Sequence, residues 1–411
     1  MAFIKPFRGL RPRPDLTPRV AAVPYDVVNT EEARALAMGN PYSLLHVSRP
    51  EIDLPAGTDI HSDSVYVQAK TAFERFKKEG TLQFDPEERL YLYSQRMGAH
   101  TQVGLAAAFC IDEYDNNLIK KHEKTREDKE NDRARHTLTL RANTGPVFLC
   151  YRHNVAIDSL VQRLTTAAPD SRFTAPDGIE HAFWVVKDAV DIRGLVEAFG
   201  KIPALYIADG HHRNASASRT RSILRKENPG HTGREPYNHY LAVAFPDNQL
   251  RILPYNRLLK DLNGLSEADF LKRVAEKFDI VKNGAKTPAT ATQFSMYLSR
   301  TWVTLVAKAG TFDPADPIGS LDVSILQDNL LGPVLGIDNP RTSKRIDFVG
   351  GIRGTDELEK RVNSGEMAAA FSMFPTSLPQ LFAIADAGAV MPPKSTWFEP
   401  KLRSGLVLYT F

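Results

Sequence analysis

The middle of the chain constrains the fold most, because strand-like and helix-like segments alternate there one at a time. Phe183-Trp184-Val185-Val186 reads as a strand, residues 191–199 as a helix, 204–208 as a strand and 211–226 as a helix. Single strands interleaved with helices predict an α/β or α+β protein with mixed sheets. The flanks agree with this. Residues 64–78 carry Val65, Ala69, Ala72, Phe73 and Phe76 at helical spacing and stop at Gly80. Residues 89–97 and 101–111 predict a hairpin, 147–151 a buried strand, and a charge-rich helix should run over 124–143. Later segments predict helices after Ser266 and over 323–335, 355–362 and 377–387, with strands over 302–307, 345–349, 367–373 and 406–409. Seven prolines between Pro12 and Pro55 forbid long elements near the start, except a short helix with Thr30 as its cap. We divide the chain into 1–257 and 258–411, each an α/β region.

Composition narrows the function. The 52 Lys and Arg nearly balance the 49 Asp and Glu, leaving a net charge of +3, which argues against nucleic acid as the partner. Cys110 and Cys150 lie in separate apolar runs, so neither a disulfide framework nor a cysteine zinc site is expected. The first residues lack a signal-peptide core and no run reaches 18 apolar residues, so we expect a cytoplasmic protein without a membrane partner. A homo-oligomer is left open. H-E-x-x-H, G-x-S-x-G and a Cys set beside His are all missing from the sequence.

Four stretches carry the candidate chemistry. In Asp209-Gly210-His211-His212-Arg213 a strand ends, glycine permits a turn, and a helix begins with hydrogen-bond donors, which suits phosphate. Asp209 can accept a proton or bind Mg²⁺. The run from His122 through Glu123, Thr125 and Arg126 continues to Lys129, Arg133 and His136. On the helix expected over 124–143, Arg126, Lys129, Arg133 and His136 share an arc of about 80°, so one face is expected to be basic, with Glu123 the candidate general base. Pro393-Lys394-Ser395-Thr396 offers a cation and two hydroxyls for phosphate oxygens. Gly350-Gly351-Ile352-Arg353-Gly354 fits a tight turn at least as well as a ligand loop. Pro24-Tyr25-Asp26 and Pro254-Tyr255-Asn256-Arg257 read first as structural turns.

Together, Pro24-Tyr25-Asp26-Val27-Val28, His122-Glu123-x-Thr125, Ala208-Asp209-Gly210-His211-His212-Arg213, Leu253-Pro254-Tyr255-Asn256-Arg257 and residues 391–398 resemble the bacterial family known as domain of unknown function 1015. The Asp209–Arg213 turn is also similar to the D-G-H-H-R turn of the ParB-like free serine kinases. That resemblance implies a ParB/serine-kinase-like core with N-terminal and C-terminal additions, and contacts from Asp209, His211, His212 and Arg213 to phosphate or serine. The expected activity is phosphoryl transfer to free serine or from O-phosphoserine, as a nucleotide-dependent kinase or as a phosphatase. ATP or ADP is the expected donor and Mg²⁺ the expected metal, held at Asp209. Asp209, Glu123, His211 and His212 are the catalytic candidates. Gly210, Arg213, His122, Thr125, Arg126, Arg133, Lys394, Ser395 and Thr396 are the phosphate or substrate candidates. The alternative is a ParB-like nucleotide-binding switch that binds DNA without turnover.

Overall fold

The computed structural model describes residues 2–411. The chain forms two compact units, one running through Leu250 and resumed by Pro400–Phe411, the other Arg251–Glu399. Both mix helices with sheet in an α/β architecture, and the main sheet of the first unit mixes parallel with antiparallel strands. Among the described residues no helix is long and apolar enough to cross a membrane.

The first unit is built on a nine-stranded sheet. Its strands are β1 (Ile4–Lys5), β2 (Leu90–Met97), β3 (His100–Cys110), β4 (Ile119–Lys120), β5 (Val147–Tyr151), β6 (Ser171–Thr174), β7 (Glu180–Val186), β8 (Leu205–Asp209) and β9 (His239–Pro246). They lie in the order β4-β8-β5-β9-β3-β2-β7-β6, with β1 added on β3. β4 with β8 and β5 with β9 are parallel, and the remaining pairs are antiparallel. Runs such as Val147–Tyr151 and His239–Pro246 are buried throughout, the pattern of strands covered on both faces. Leu105, Ala107, Leu149, Ile207 and Ala242 make one core with Ile157, Leu195 and Phe199 of helices Val155–Leu164 and Ala189–Phe199.

The proline-rich start supplies a second core. Helix Asp63–Lys78 buries Ala69, Phe73 and Phe76 against Leu10, Val20, Leu45, Leu140 and Leu408. The short helix begins one residue earlier than its sequence suggests. Asn29, not Thr30, is the cap, because its side chain accepts from the Glu32 N–H while Glu32 returns a bond to the Asn29 N–H.

The second unit carries a six-stranded antiparallel sheet in the order Phe278–Lys282, Thr301–Ala307, Gln293–Leu298, Ala369–Met373, Tyr255–Leu259, Ile346–Gly350. The strands Phe278–Lys282 and Gln293–Leu298 had no expectation from the sequence. Ser266 and Ser377 cap helices Glu267–Lys277 and Leu378–Asp386 through bonds to backbone N–H groups. The expected helix over 323–335 is instead a short α segment, Asp322–Leu326, that widens into a π turn over Gln327–Leu331. Gly350 and Gly351 are packing positions rather than a ligand loop. A Cβ on Gly350 would lie 2.4 Å from the Trp397 ring, and one on Gly351 would lie 2.8 Å from Pro254. The last strand, back in the first unit, is only Tyr409–Thr410 and pairs with Ala142–Asn143.

Candidate functional site

The Asp209 turn forms because three local devices coincide. β8 pairs Ile207 with Leu149 and Asp209 with Phe148, so Ala208 is an extra residue in the ladder. Without that bulge Asp209 would share the face of Ile207, which lies in the core; with it, Asp209 takes the opposite face. Gly210 then adopts φ +88°, where an L side chain is strained, and helix His211–Glu227 begins at once. Small residues Ala215, Ser216 and Ala217 in that helix are buried, and the helix packs against helix Glu127–Leu140.

Asp209 is tied at both oxygens. Oδ1 accepts from the Gly210 N–H at 2.7 Å and Oδ2 from the Lys401 ammonium at 2.7 Å. The surrounding protein opposes ionisation, but Lys401, Arg213 and the Gly210 N–H outweigh it and hold the carboxyl well below the usual carboxylate range. The Asp209 side chain is 41% exposed, so the charge pair is open to solvent on one side. Among the described residues no group of three His, Cys, Asp or Glu side chains gathers to hold a metal, and both Asp209 oxygens carry a protein hydrogen bond, so the Mg²⁺ expected there would have no protein cage of its own.

The two histidines face different neighbours. His211 is buried, with Nδ1 3.8 Å from Glu123 Oε2 and its ring edge-on to His122 at 4.5 Å. Its Nε2 has no hydrogen-bond partner. Burial, followed by the neighbouring His122, pushes its pKa well down, and burial lowers that of His122 to about 4. Both rings are therefore neutral near pH 7. His212 Nε2 accepts from the Arg126 backbone N–H at 3.1 Å, which places its ring proton on Nδ1 in the neutral form. Arg213 donates Nη1 to the Pro146 carbonyl at 2.6 Å and Nη2 to Asp26 at 3.1 Å.

The helix expected from the sequence is present but starts later, so Lys129, Arg133 and His136 share it while Arg126 does not. Helix Glu127–Leu140 starts only after Arg126, whose backbone is extended, so His122, Glu123, Thr125 and Arg126 lie on the segment before it. The physical reason is the helix dipole. The acids Glu127, Asp128 and Glu130 suit a first turn, whereas the cations preceding them would oppose it. Arg126 pairs with Asp128 at 2.8 Å, and the Thr125 hydroxyl donates to Glu130. Arg133 pairs with Asp132 at 2.7 Å, and His136 is buried against the Val47 carbonyl. The extended segment still serves the site: it brings Glu123 to His211 and the Arg126 N–H to His212.

Lys394, Ser395 and Thr396 belong to the second unit. There Ser395 is buried and donates to the Pro392 carbonyl at 2.6 Å, and the Lys394 carbonyl accepts from Arg257 at 3.1 Å. Three residues of the first unit join the site that are not among the candidates read from the sequence. Lys401, far along the chain, pairs with Asp209, while Tyr25 and Asp26 flank Arg213. The Pro24-Tyr25-Asp26 motif was visible in the sequence but reads there as a turn.

A fold and a polar turn of this kind define an α/β protein with a charged strand-to-helix site. The chain belongs to the family described as "Protein of unknown function (DUF1015)", whose sequence profile matches residues 4–324. No curated protein matches it. Among solved structures, a free serine kinase in complex with AMP is similar over 74% of this chain and 91% of its own, at 11% identity and TM-score 0.36. A conserved hypothetical protein from Pyrococcus furiosus covers 74% and 94% at 13% identity and TM-score 0.36. SbnI from Staphylococcus aureus, truncated at its C-terminus, covers 74% and 86% at 10% identity and TM-score 0.39.

Proposed function

We propose that the first unit is a phosphotransferase that moves a phosphoryl group from ATP or ADP to the hydroxyl of free serine or, working as a phosphatase, from O-phosphoserine to water. The observation that carries the reading is the meeting of Glu123 with His211 at 3.8 Å, one residue from the Asp209–Gly210 turn and its cations. Glu123 is partly exposed and near a neutral imidazole, the setting of a base that takes the hydroxyl proton as oxygen attacks phosphorus. The P–O bond to the nucleotide breaks as the new bond forms, so negative charge shifts towards the leaving phosphate. The first N–H groups of helix His211–Glu227 are the groups that neutralise it. Lys401 keeps Asp209 ionised, and Asp209 accepts from the Gly210 N–H and so fixes the turn at which phosphate binds.

Incubating the purified chain with L-serine and ATP or ADP, and separately with O-phosphoserine, should form or consume phosphoserine by ³¹P NMR. An inert protein in every combination refutes the reading. If that protein also binds DNA with a steep salt dependence, the switch alternative replaces it.

A further inference from the structure

Arg213 also lines a small cavity in the first unit, together with Tyr25, Ser48, Arg133, His136 and Ser404. The cavity leaves about 40 Å³ for water-sized molecules, room for roughly two or three of them. That suits the head of a small molecule and not a nucleotide.

Its chemistry is set by two guanidinium groups on one aromatic ring. Arg133 lies 4.2 Å and Arg213 5.4 Å from the centre of Tyr25. Their acids, Asp132 and Asp26, are not among the residues lining the cavity. Two donors remain unmet: Arg213 Nε and the hydroxyl of Ser48, a residue only 4% exposed, have no hydrogen-bond partner. Buried donors seldom stay unpaired, so these point to an absent acceptor. His136 adds no charge, since burial lowers its pKa to about 4 and its Nε2 donates to the Val47 carbonyl at 2.8 Å. Space is kept by Gly145, where a Cβ would lie 2.6 Å from Ser404 Oγ and 3.6 Å from Arg213 Nη1.

We propose that this cavity receives the α-carboxylate of a small free amino acid, held by Arg133, Arg213 and the hydroxyls of Ser48 and Ser404. A carboxylate, with two acceptor oxygens, supplies the missing acceptors for Arg213 Nε and the Ser48 hydroxyl. The two guanidinium charges are already balanced by Asp132 and Asp26, which leaves no excess to compensate a phosphate dianion and suits the single carboxylate of a zwitterion. The identity of the amino acid as the phosphoryl acceptor rests on the function proposed above; the carboxylate pocket does not.

The test is calorimetric binding to the full chain without nucleotide, using L-serine, L-alanine, serinamide and inorganic phosphate. Serine and alanine should bind, serinamide should bind at least tenfold more weakly, and phosphate should not displace serine. Arg133→Met should weaken serine binding at least tenfold. Gly145→Ala should do the same by filling space without removing a charge, and decides the matter if Arg133→Met does not fold. Equal binding of serine and serinamide, no binding of either, displacement by phosphate, or wild-type affinity in a folded Gly145→Ala protein would overturn the proposal. Carboxylate-dependent binding without phosphoryl transfer would sink the proposed reaction and leave the pocket standing. Phosphoryl transfer with an unchanged serine KM in both variants would do the reverse.

Discussion

At the residue scale, the buried histidines set how the molecule responds to acid. Burial lowers the pKa of His122, His136 and His239 to about 4 and that of His181 to about 3, against 6.5 for a free ring. Between about pH 6.5 and 4 the unfolded chain therefore binds protons at these positions that the folded chain refuses. Stability must fall as pH falls through that window, by up to about 1.4 kcal/mol per pH unit for each ring. Glu113 and Asp322 act in the opposite sense, since burial raises their pKa to about 7 and about 6, so that acid favours their folded, neutral form. Four rings outnumber two carboxyls, and urea unfolding at pH 7 and pH 5 should give a lower midpoint at pH 5. An unchanged or higher midpoint would mean that these rings are protonated in the folded protein.

At the element scale, the strand-to-helix junction at Asp209 was largely legible and the elements around it were not. A buried apolar run ending in Asp-Gly before a helix needs no partner to be recognised, because turn geometry and the φ of Gly210 are local properties. The bulge at Ala208 was invisible, since it exists only relative to the register of β5. The start of the basic helix was set too early for a related reason. The spacing of His122, Arg126 and Arg133 is helical, but the dipole fixes the start at Glu127, and pattern alone does not weigh that cost. Gly210→Ala tests the junction directly. A Cβ there would clear its neighbours, with the nearest atom 3.5 Å away at Val147, so the penalty is the backbone's own. Thermal or urea denaturation should show a loss of about 1–2 kcal/mol; no loss would mean that the turn relaxes without cost.

At the scale of the whole molecule, the first unit is completed by the last residues of the chain. Leu402, Leu406, Val407 and Leu408 are buried, Leu408 pairs with Leu10 and Ser404 with Ala22, and Lys401 reaches Asp209. No sequence pattern reveals that pairing, because 192 positions separate Lys401 from Asp209. Removing residues 401–411 should therefore unfold or strongly destabilise the first unit by circular dichroism, whereas a well-folded truncated protein would contradict the packing described. The central claim is narrower: Glu123 is the base of a phosphoryl-transfer site at the Asp209 turn. It is tested most directly by the rate at which a Glu123→Gln protein forms phosphoserine from L-serine and nucleotide. With the fold intact, the rate should fall by at least about 10²-fold relative to the unmodified chain; a rate near that of the unmodified chain would contradict the claim.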